Sequence, residues 1–219
     1  MGLRLTLRVF KGPDKEEFRR VFATEAERHG GGVSWDRKHA EREVDLRTTH
    51  QADVHTVFMP YLRGSADGML CHLVGAALYA PWIEARIQEG TLWDYSLFNG
   101  AKHVDQFSTL PEYWGDEDMN LDEYRGNATL LAELWSVPLE RVDRYLRNWG
   151  MQPLEEGIFD TVLKGKAYDS DRSEYGEIHQ MFDFLAALGA IDPMAHGTLH
   201  GIVVPPVERL DAASDLLGS

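Results

Sequence analysis

The stretch WDYSLFNGAKHVDQFS, residues 93–108, decides the fold class. Large apolar residues alternate with polar or small ones on either side of Asn99-Gly100. Asn-Gly between two such runs is the strongest short-range signal of a β-hairpin. We therefore predict a two-residue turn of type I′ at Asn99-Gly100, with positive φ at both residues. The strand face predicted to be buried holds Trp93, Tyr95 and Leu97.

Strand patterns also precede this hairpin, so the sheet should be larger than two strands. A run at 82–88 ends at Glu89-Gly90 and completes a β-meander with the hairpin. The chain opens with a β-α-β-β pattern and then a buried helix, which favours a mixed or mainly antiparallel sheet over a doubly wound one. These elements are predicted at 3–9 (strand), 18–26 (helix), 44–48 and 54–59 (strands) and 69–79 (helix).

The pattern changes after Pro111, where helical spacing replaces alternation. Helices are predicted at 130–135, 138–149 and 175–188, and a last strand at 199–204. We predict an α+β protein in which residues 1–111 form the sheet region and residues 112–219 form a mainly helical region. The helical half should pack against the sheet in one compact unit.

Composition narrows the classes of function. The 219 residues carry 36 acidic and 22 basic side chains, a net charge of −14, which disfavours binding to phosphate backbones. The longest apolar run, residues 69–83, is too short and interrupted to span a bilayer. With Cys71 as the single cysteine, no intrachain disulfide forms. We expect a cytoplasmic protein with no cofactor and no membrane contact, and the oligomeric state stays open.

An acidic segment, residues 112–124, follows the meander with six carboxylates and no basic residue. Oxygen side chains at every second position from 116 to 122 resemble the first half of a calcium loop. Leu121 stands where an EF-hand needs glycine and Asn127 where it needs glutamate, so no EF-hand and no metal site is predicted. The leading hypothesis is a contact surface for a basic protein partner. Its predicted contact residues are Asp116, Glu117, Asp118 and Asp122.

The first alternative is a small hydrolase-type or metal-dependent enzyme. Its shallow site would use His103 and Asp105, two apart on a strand, with His196 and His200, whose even spacing on a strand would place both on one face. No nucleophile elbow, phosphate loop or dinucleotide loop occurs, so no catalytic motif is complete. Cys71 beside His72 lies in an apolar run and is interpreted as a core residue. Whether the chain is an enzyme stays open.

The second alternative is a regulator, because residues 131–146 resemble a helix-turn-helix. The second helix would present Arg141 and Arg144 among acidic residues, a poor composition for the major groove. The leading interpretation remains an acidic protein-interaction module, of the immunity or inhibitor kind, that binds a more basic protein.

Overall fold

A computed structural model of the chain describes residues 4–35, 44–59, 66–90, 92–114, 120–155 and 158–214. In these ranges the protein is α+β, with one large antiparallel sheet and several helices, as the sequence predicts. None of the described helices combines the length and the apolar character that crossing a membrane requires.

Ten strands and six α-helices are present in the described ranges. The strands are β1 (Leu5–Lys11), β2 (Gly32–Ser34), β3 (Val44–Gln51), β4 (Val54–Phe58), β5 (Pro81–Gln88), β6 (Leu92–Asn99), β7 (Lys102–Ser108), β8 (Met151–Glu155), β9 (Ile158–Thr161) and β10 (Thr198–Val203). The α-helices are α1 (Lys15–Arg28), α2 (Ala66–Leu78), α3 (Ala128–Trp135), α4 (Gln180–Ala187), α5 (Pro193–His196) and α6 (Val207–Ser214).

The large sheet has the strand order β2-β10-β3-β4-β1-β5-β6-β7, and β8 and β9 form a separate hairpin. Strands β3 and β4 pair around a two-residue turn, with Gln51 opposite Val54. The late strand β10 lies between β2 and β3 and pairs with both in antiparallel register. A strand near the C-terminal end of the sequence therefore completes a part of the sheet whose other strands come from the first 60 residues.

The meander is confirmed, but its turn differs from the prediction. Strands β5, β6 and β7 are consecutive neighbours, and the face that carries Trp93 is fully buried. The prediction of a type I′ turn at Asn99-Gly100 is wrong. Asn99 ends β6, and of these two residues only Gly100 has a positive φ, +61°. The Gly100 amide donates to Ala80 O and its carbonyl accepts from Trp82 Nε1 at 3.0 Å. These bonds fix the glycine peptide and move the turn one residue along the chain.

The early helices follow the sequence pattern. Asp14 caps α1 by accepting from the amides of Glu16 and Glu17, and Gly30 leaves the helix with φ +88°. Helix α2 is buried along most of its length, as its apolar run predicts.

Two later helix predictions fail. Residues 138–149 form a 3-10 turn at Leu139–Arg141 and further turns, because the Trp149 amide donates to Thr109 O and so leaves the helical path. The second helix of a helix-turn-helix is therefore absent from the described residues 138–149. The helix predicted at 175–188 begins only at Gln180.

The region just before α4 is held by side chains. Asp183 accepts from the amides of Arg172 and Ser173, which fixes the preceding loop in a non-helical conformation. Asp171 also lies in this loop. It is buried, and it accepts from Tyr145 Oη at 2.6 Å and from the amide of Tyr168.

The chain divides into two compact units. Unit 1 comprises Met1–Leu5, Ala85–Leu97 and Asp105–Leu188, and unit 2 comprises Thr6–Glu84, Phe98–Val104 and Gly189–Ser219. In unit 1, Phe184 stacks on Trp93 and on Tyr95, at ring-centroid distances of 5.2 and 5.6 Å. In unit 2, buried side chains from α1, α2 and the sheet form a core that includes Trp82. Each unit thus has its own hydrophobic core.

Candidate functional site

The acidic segment, in unit 1, is described at both of its ends, 112–114 and 120–124. Asp116, Glu117 and Asp118, three of the four predicted contact residues, lie outside the described residues. Asp122 is exposed, and its Oδ1 lies 2.9 Å from Arg125 Nη2. A surface pair of this kind is screened by water and contributes little to stability. The Asp122 carboxylate is therefore accessible from solvent.

The two ends of this segment lie side by side and are anchored. Each forms a 3-10 turn, Pro111–Trp114 and Leu121–Tyr124, and the two turns contact each other. Both oxygens of Glu112 accept from Asn148 Nδ2 at 3.0 Å. Arg125 forms a β-bridge with Phe107, a buried residue of β7. The turns are therefore fixed to the core of unit 1.

Both turns expose a large apolar side chain among carboxylates. Tyr113 is 42 % exposed and Leu121 is 40 % exposed. Glu112, Asp122 and Glu123 are exposed beside them. We call Glu112, Tyr113, Leu121, Asp122 and Glu123 the acidic face. Aromatic side chains surrounded by polar groups are typical of the centres of protein interfaces.

Of the residues predicted for an enzyme site, Asp105 is used in structural hydrogen bonds and His103 is exposed. Asp105 Oδ2 accepts from Tyr95 Oη and from the Asn127 amide, both at 2.8 Å, so this carboxylate is used in a structural bond. Burial, followed by the charge of Asp105, raises the pKa of Tyr95 well above its usual value. His103 is exposed, with its ring edge against Phe98.

The prediction that His196 and His200 share one strand face is wrong. His196 ends the short helix α5 and is exposed, whereas His200 lies on β10 and is buried. The helix breaks the strand spacing on which the prediction depended. Within the described ranges, no three His, Cys, Asp or Glu side chains are placed to hold a metal ion.

Cys71 is a core residue, as interpreted from its sequence context. It is fully buried in α2, and burial raises the pKa of its thiol to about 12. A thiol in this state carries almost no thiolate at neutral pH and is a poor nucleophile. Its charged neighbour Arg8 is also buried, and it lies 2.6 Å from Asp67 Oδ2 and 2.9 Å from Glu84 Oε2.

A chain of hydrogen bonds through three histidines was missed by the sequence analysis. His55 Nε2 contacts Pro13 O at 2.6 Å, and His55 Nδ1 contacts His50 Nδ1 at 2.8 Å. Thr48 Oγ1 contacts His50 Nε2 at 3.2 Å and His200 Nε2 at 3.1 Å. The chain ends where His200 Nδ1 contacts Trp35 O at 2.9 Å. We call these residues the histidine chain; all of them lie in unit 2.

The sheet and α1 position this chain. His50 and His55 are directly opposite on β3 and β4, and β10 places His200 opposite Leu46, on the face that Thr48 shares. Phe18 of α1 stacks on His55 at 4.5 Å. Burial is the main cause that lowers the pKa of His50, to about 3, and the charge of His55 adds to it. Burial also lowers the pKa of His55.

A part of this arrangement was visible in the sequence. His50 and His55 flank the β3–β4 turn, and strand alternation places Thr48 on the face of His50. The place of His200 was not visible, because it depends on the insertion of β10 beside β3. Comparison of the chain with protein-family models, curated proteins and solved structures found no match. The functional argument therefore rests on the geometry alone.

Proposed function

We propose that the protein is a binding module that recognises a more basic protein partner through the acidic face of unit 1. The observation that carries the proposal is the exposure of Tyr113 and Leu121 among carboxylates on two anchored turns. Anchored turns lose little conformational entropy on binding. Their apolar side chains supply contact area, and the carboxylates attract a basic partner.

The net charge of −14 supports the same proposal, because a basic protein approaches such a chain faster than a neutral one does. The charge disfavours nucleic acid as the partner. The proposal includes a cytoplasmic location, where an immunity or inhibitor protein meets an intracellular target.

The test compares charge variants of equal net charge. In the first variant the four predicted contact residues are neutralised, as Asp116→Asn, Glu117→Gln, Asp118→Asn and Asp122→Asn. In the matched control, four exposed carboxylates elsewhere are neutralised, as Glu16→Gln, Glu140→Gln, Glu174→Gln and Glu208→Gln. Wild type and both variants are used to capture partners from a lysate of the native host, and the captured protein is purified for kinetics.

We expect the first variant to associate about tenfold more slowly at low salt and to lose most of the salt dependence of the association rate. The control variant should keep most of the association rate and most of its salt dependence. Tyr113→Ala should mainly speed dissociation, and Leu139→Ala, an equally exposed apolar residue elsewhere, should not. Equal association rates for the two charge variants would refute the proposal.

A further inference from the structure

The histidine chain has one hydrogen too few when its members are neutral. Its five contacts each need one hydrogen. A neutral histidine carries one ring hydrogen and threonine one hydroxyl hydrogen, so three histidines and Thr48 supply four. The backbone carbonyls at the two ends accept only, so they take the hydrogens of His55 Nε2 and His200 Nδ1. One added proton satisfies all five contacts.

The surroundings oppose that proton. Arg19 and Lys15 lie one turn apart on α1, the helix whose Phe18 ring lies 5.8 Å from the His50 ring, centroid to centroid. After burial and the charge of His55, the charges of Arg19, Lys15 and His200 lower the pKa of His50. The two carboxylates that act on His55 are already used. Asp14 caps α1, and Asp53 lies 2.6 Å from Lys11 Nζ; both act on His55. An uncompensated positive charge therefore gathers at this end of the chain.

Arg19 has an aromatic contact but, among the described residues, no carboxylate partner. Its guanidinium lies over the Trp35 ring, with Cζ 5.0 Å from the centroid, and the Trp35 ring contacts the ring of His200 at 5.0 Å. Arg19 Nε is buried and has no hydrogen-bond acceptor among the residues that the structure describes. In the same described ranges, no carboxylate forms an ion pair with Arg19 or Lys15. A buried guanidinium nitrogen without an acceptor is costly, and like charges four apart on a helix repel.

We propose that Arg19 and Lys15, beside His50, form a binding site for an oxyanion, the phosphate or carboxylate group of a small ligand, and that binding adds one proton to the histidine chain. The anion supplies the acceptor that Arg19 lacks and the negative charge that the protonated chain needs. Arginine and lysine are the common protein ligands of such groups. Both ring nitrogens of His50 are used within the histidine chain, so His50 contributes positive charge to the site and not a hydrogen bond to the anion.

The proton and the anion must then help each other bind, because coupling between two ligands is reciprocal. The bound anion raises the pKa of the chain, and a fall in pH tightens anion binding. When only the protonated chain binds, the dissociation constant increases about tenfold per pH unit above its pKa. Sulfate is the suitable probe, because its own charge does not change in this range.

The experiment records the imidazole nitrogen signals of the full chain by NMR while sodium sulfate is added at several pH values. Sodium chloride of equal ionic strength is the reference, and sodium acetate tests the carboxylate arm. We expect a saturable shift of the His50 and His200 signals with sulfate, tighter at lower pH, and no saturable shift with chloride. A response to acetate at equal or lower concentration would assign the site to a carboxylate rather than a phosphate ligand.

Arg19→Gln should abolish saturation. Its matched control is Arg20→Gln, the next residue on α1, whose guanidinium is exposed and paired with Glu17 at 2.6 Å; this variant should bind as wild type does. His50→Gln should bind more weakly and without the pH dependence, which keeps the test decisive if Arg19→Gln does not fold. The proposal fails if sulfate gives no saturable shift, or if the two arginine variants respond alike.

Discussion

Gly75 of α2 packs closely against Trp82 of β5 in unit 2, and this contact predicts a large effect of one methyl group. A Cβ at position 75 would lie 2.3 Å from Trp82 Nε1 and 2.4 Å from Cδ1. The indole has no room to move, because it stacks on Phe98 at 4.2 Å and donates to Gly100 O at 3.0 Å. Gly75→Ala must therefore displace α2 or break this stack.

Two effects of opposite sign decide how much Gly75→Ala changes the free energy of unfolding. Alanine gains about 1 kcal/mol over glycine in a helix interior. Overpacking a rigid core costs about 1–3 kcal/mol, or more where backbone must shift. Both close contacts are to a fixed ring, so we expect the cost of overpacking to exceed the gain in helix propensity. The free energy of unfolding should fall by about 1–3 kcal/mol.

The assay is urea unfolding followed by circular dichroism, with Gly68→Ala as the matched control. Gly68 lies in the same helix, but its Cβ would meet no atom closer than 3.4 Å. The control should be unchanged or slightly more stable. Trp82→Phe should cost less in the Gly75→Ala background than in wild type, because the smaller ring relieves the overlap. If Gly75→Ala is as stable as Gly68→Ala, the packing argument is wrong.

Three further predictions use the same unfolding measurement. Trp93→Ala should lower the free energy of unfolding by about 3–5 kcal/mol, since Trp93 is fully buried, and a loss near zero would contradict its place in the core. Gly100→Val should cost about 1 kcal/mol or more through its positive φ, and Gly100→Asn should cost less, so equal losses would argue against backbone strain. The pKa of His50 is lowered, so the unfolded chain takes up the proton first; stability should be full above about pH 6.5 and fall as pH decreases towards 3. The loss by about pH 5 should reach at most about 2 kcal/mol, roughly half of that after solvent screening, and His50→Gln should flatten the pH dependence.

Local patterns predicted seven of the ten strands in the described ranges, because alternation and burial belong to the same residues there, and they missed β2, β8 and β9. Trp93, Tyr95 and Leu97 alternate in the sequence and are buried together in β6. The turn was predicted one residue early, since the bonds from Gly100 to Ala80 and Trp82 are tertiary. Residues 138–149 failed for the same reason: apolar spacing indicated a helix, but the Trp149 amide binds Thr109 O forty residues away.

The site predictions likewise succeeded where the residues are close in sequence and failed where they are distant. The acidic segment was found from composition, and its exposed Tyr113 and Leu121 needed the structure. The histidine chain joins residues 13, 35, 48, 50, 55 and 200, which no local pattern connects. Only its β3–β4 part, across a two-residue turn, was within reach of the sequence.

The place of β10 between β2 and β3 has a consequence for the chain during its synthesis. Thr198 follows Gln51 by 147 positions, so a ribosome adding about 5–20 residues per second needs roughly 7–30 s to supply the missing strand. Until then, the edges of β2 and β3 have no partner there, and such edges pair readily with other chains. His200 arrives on that same strand, so the nascent chain closes its sheet and completes its histidine chain in one late event.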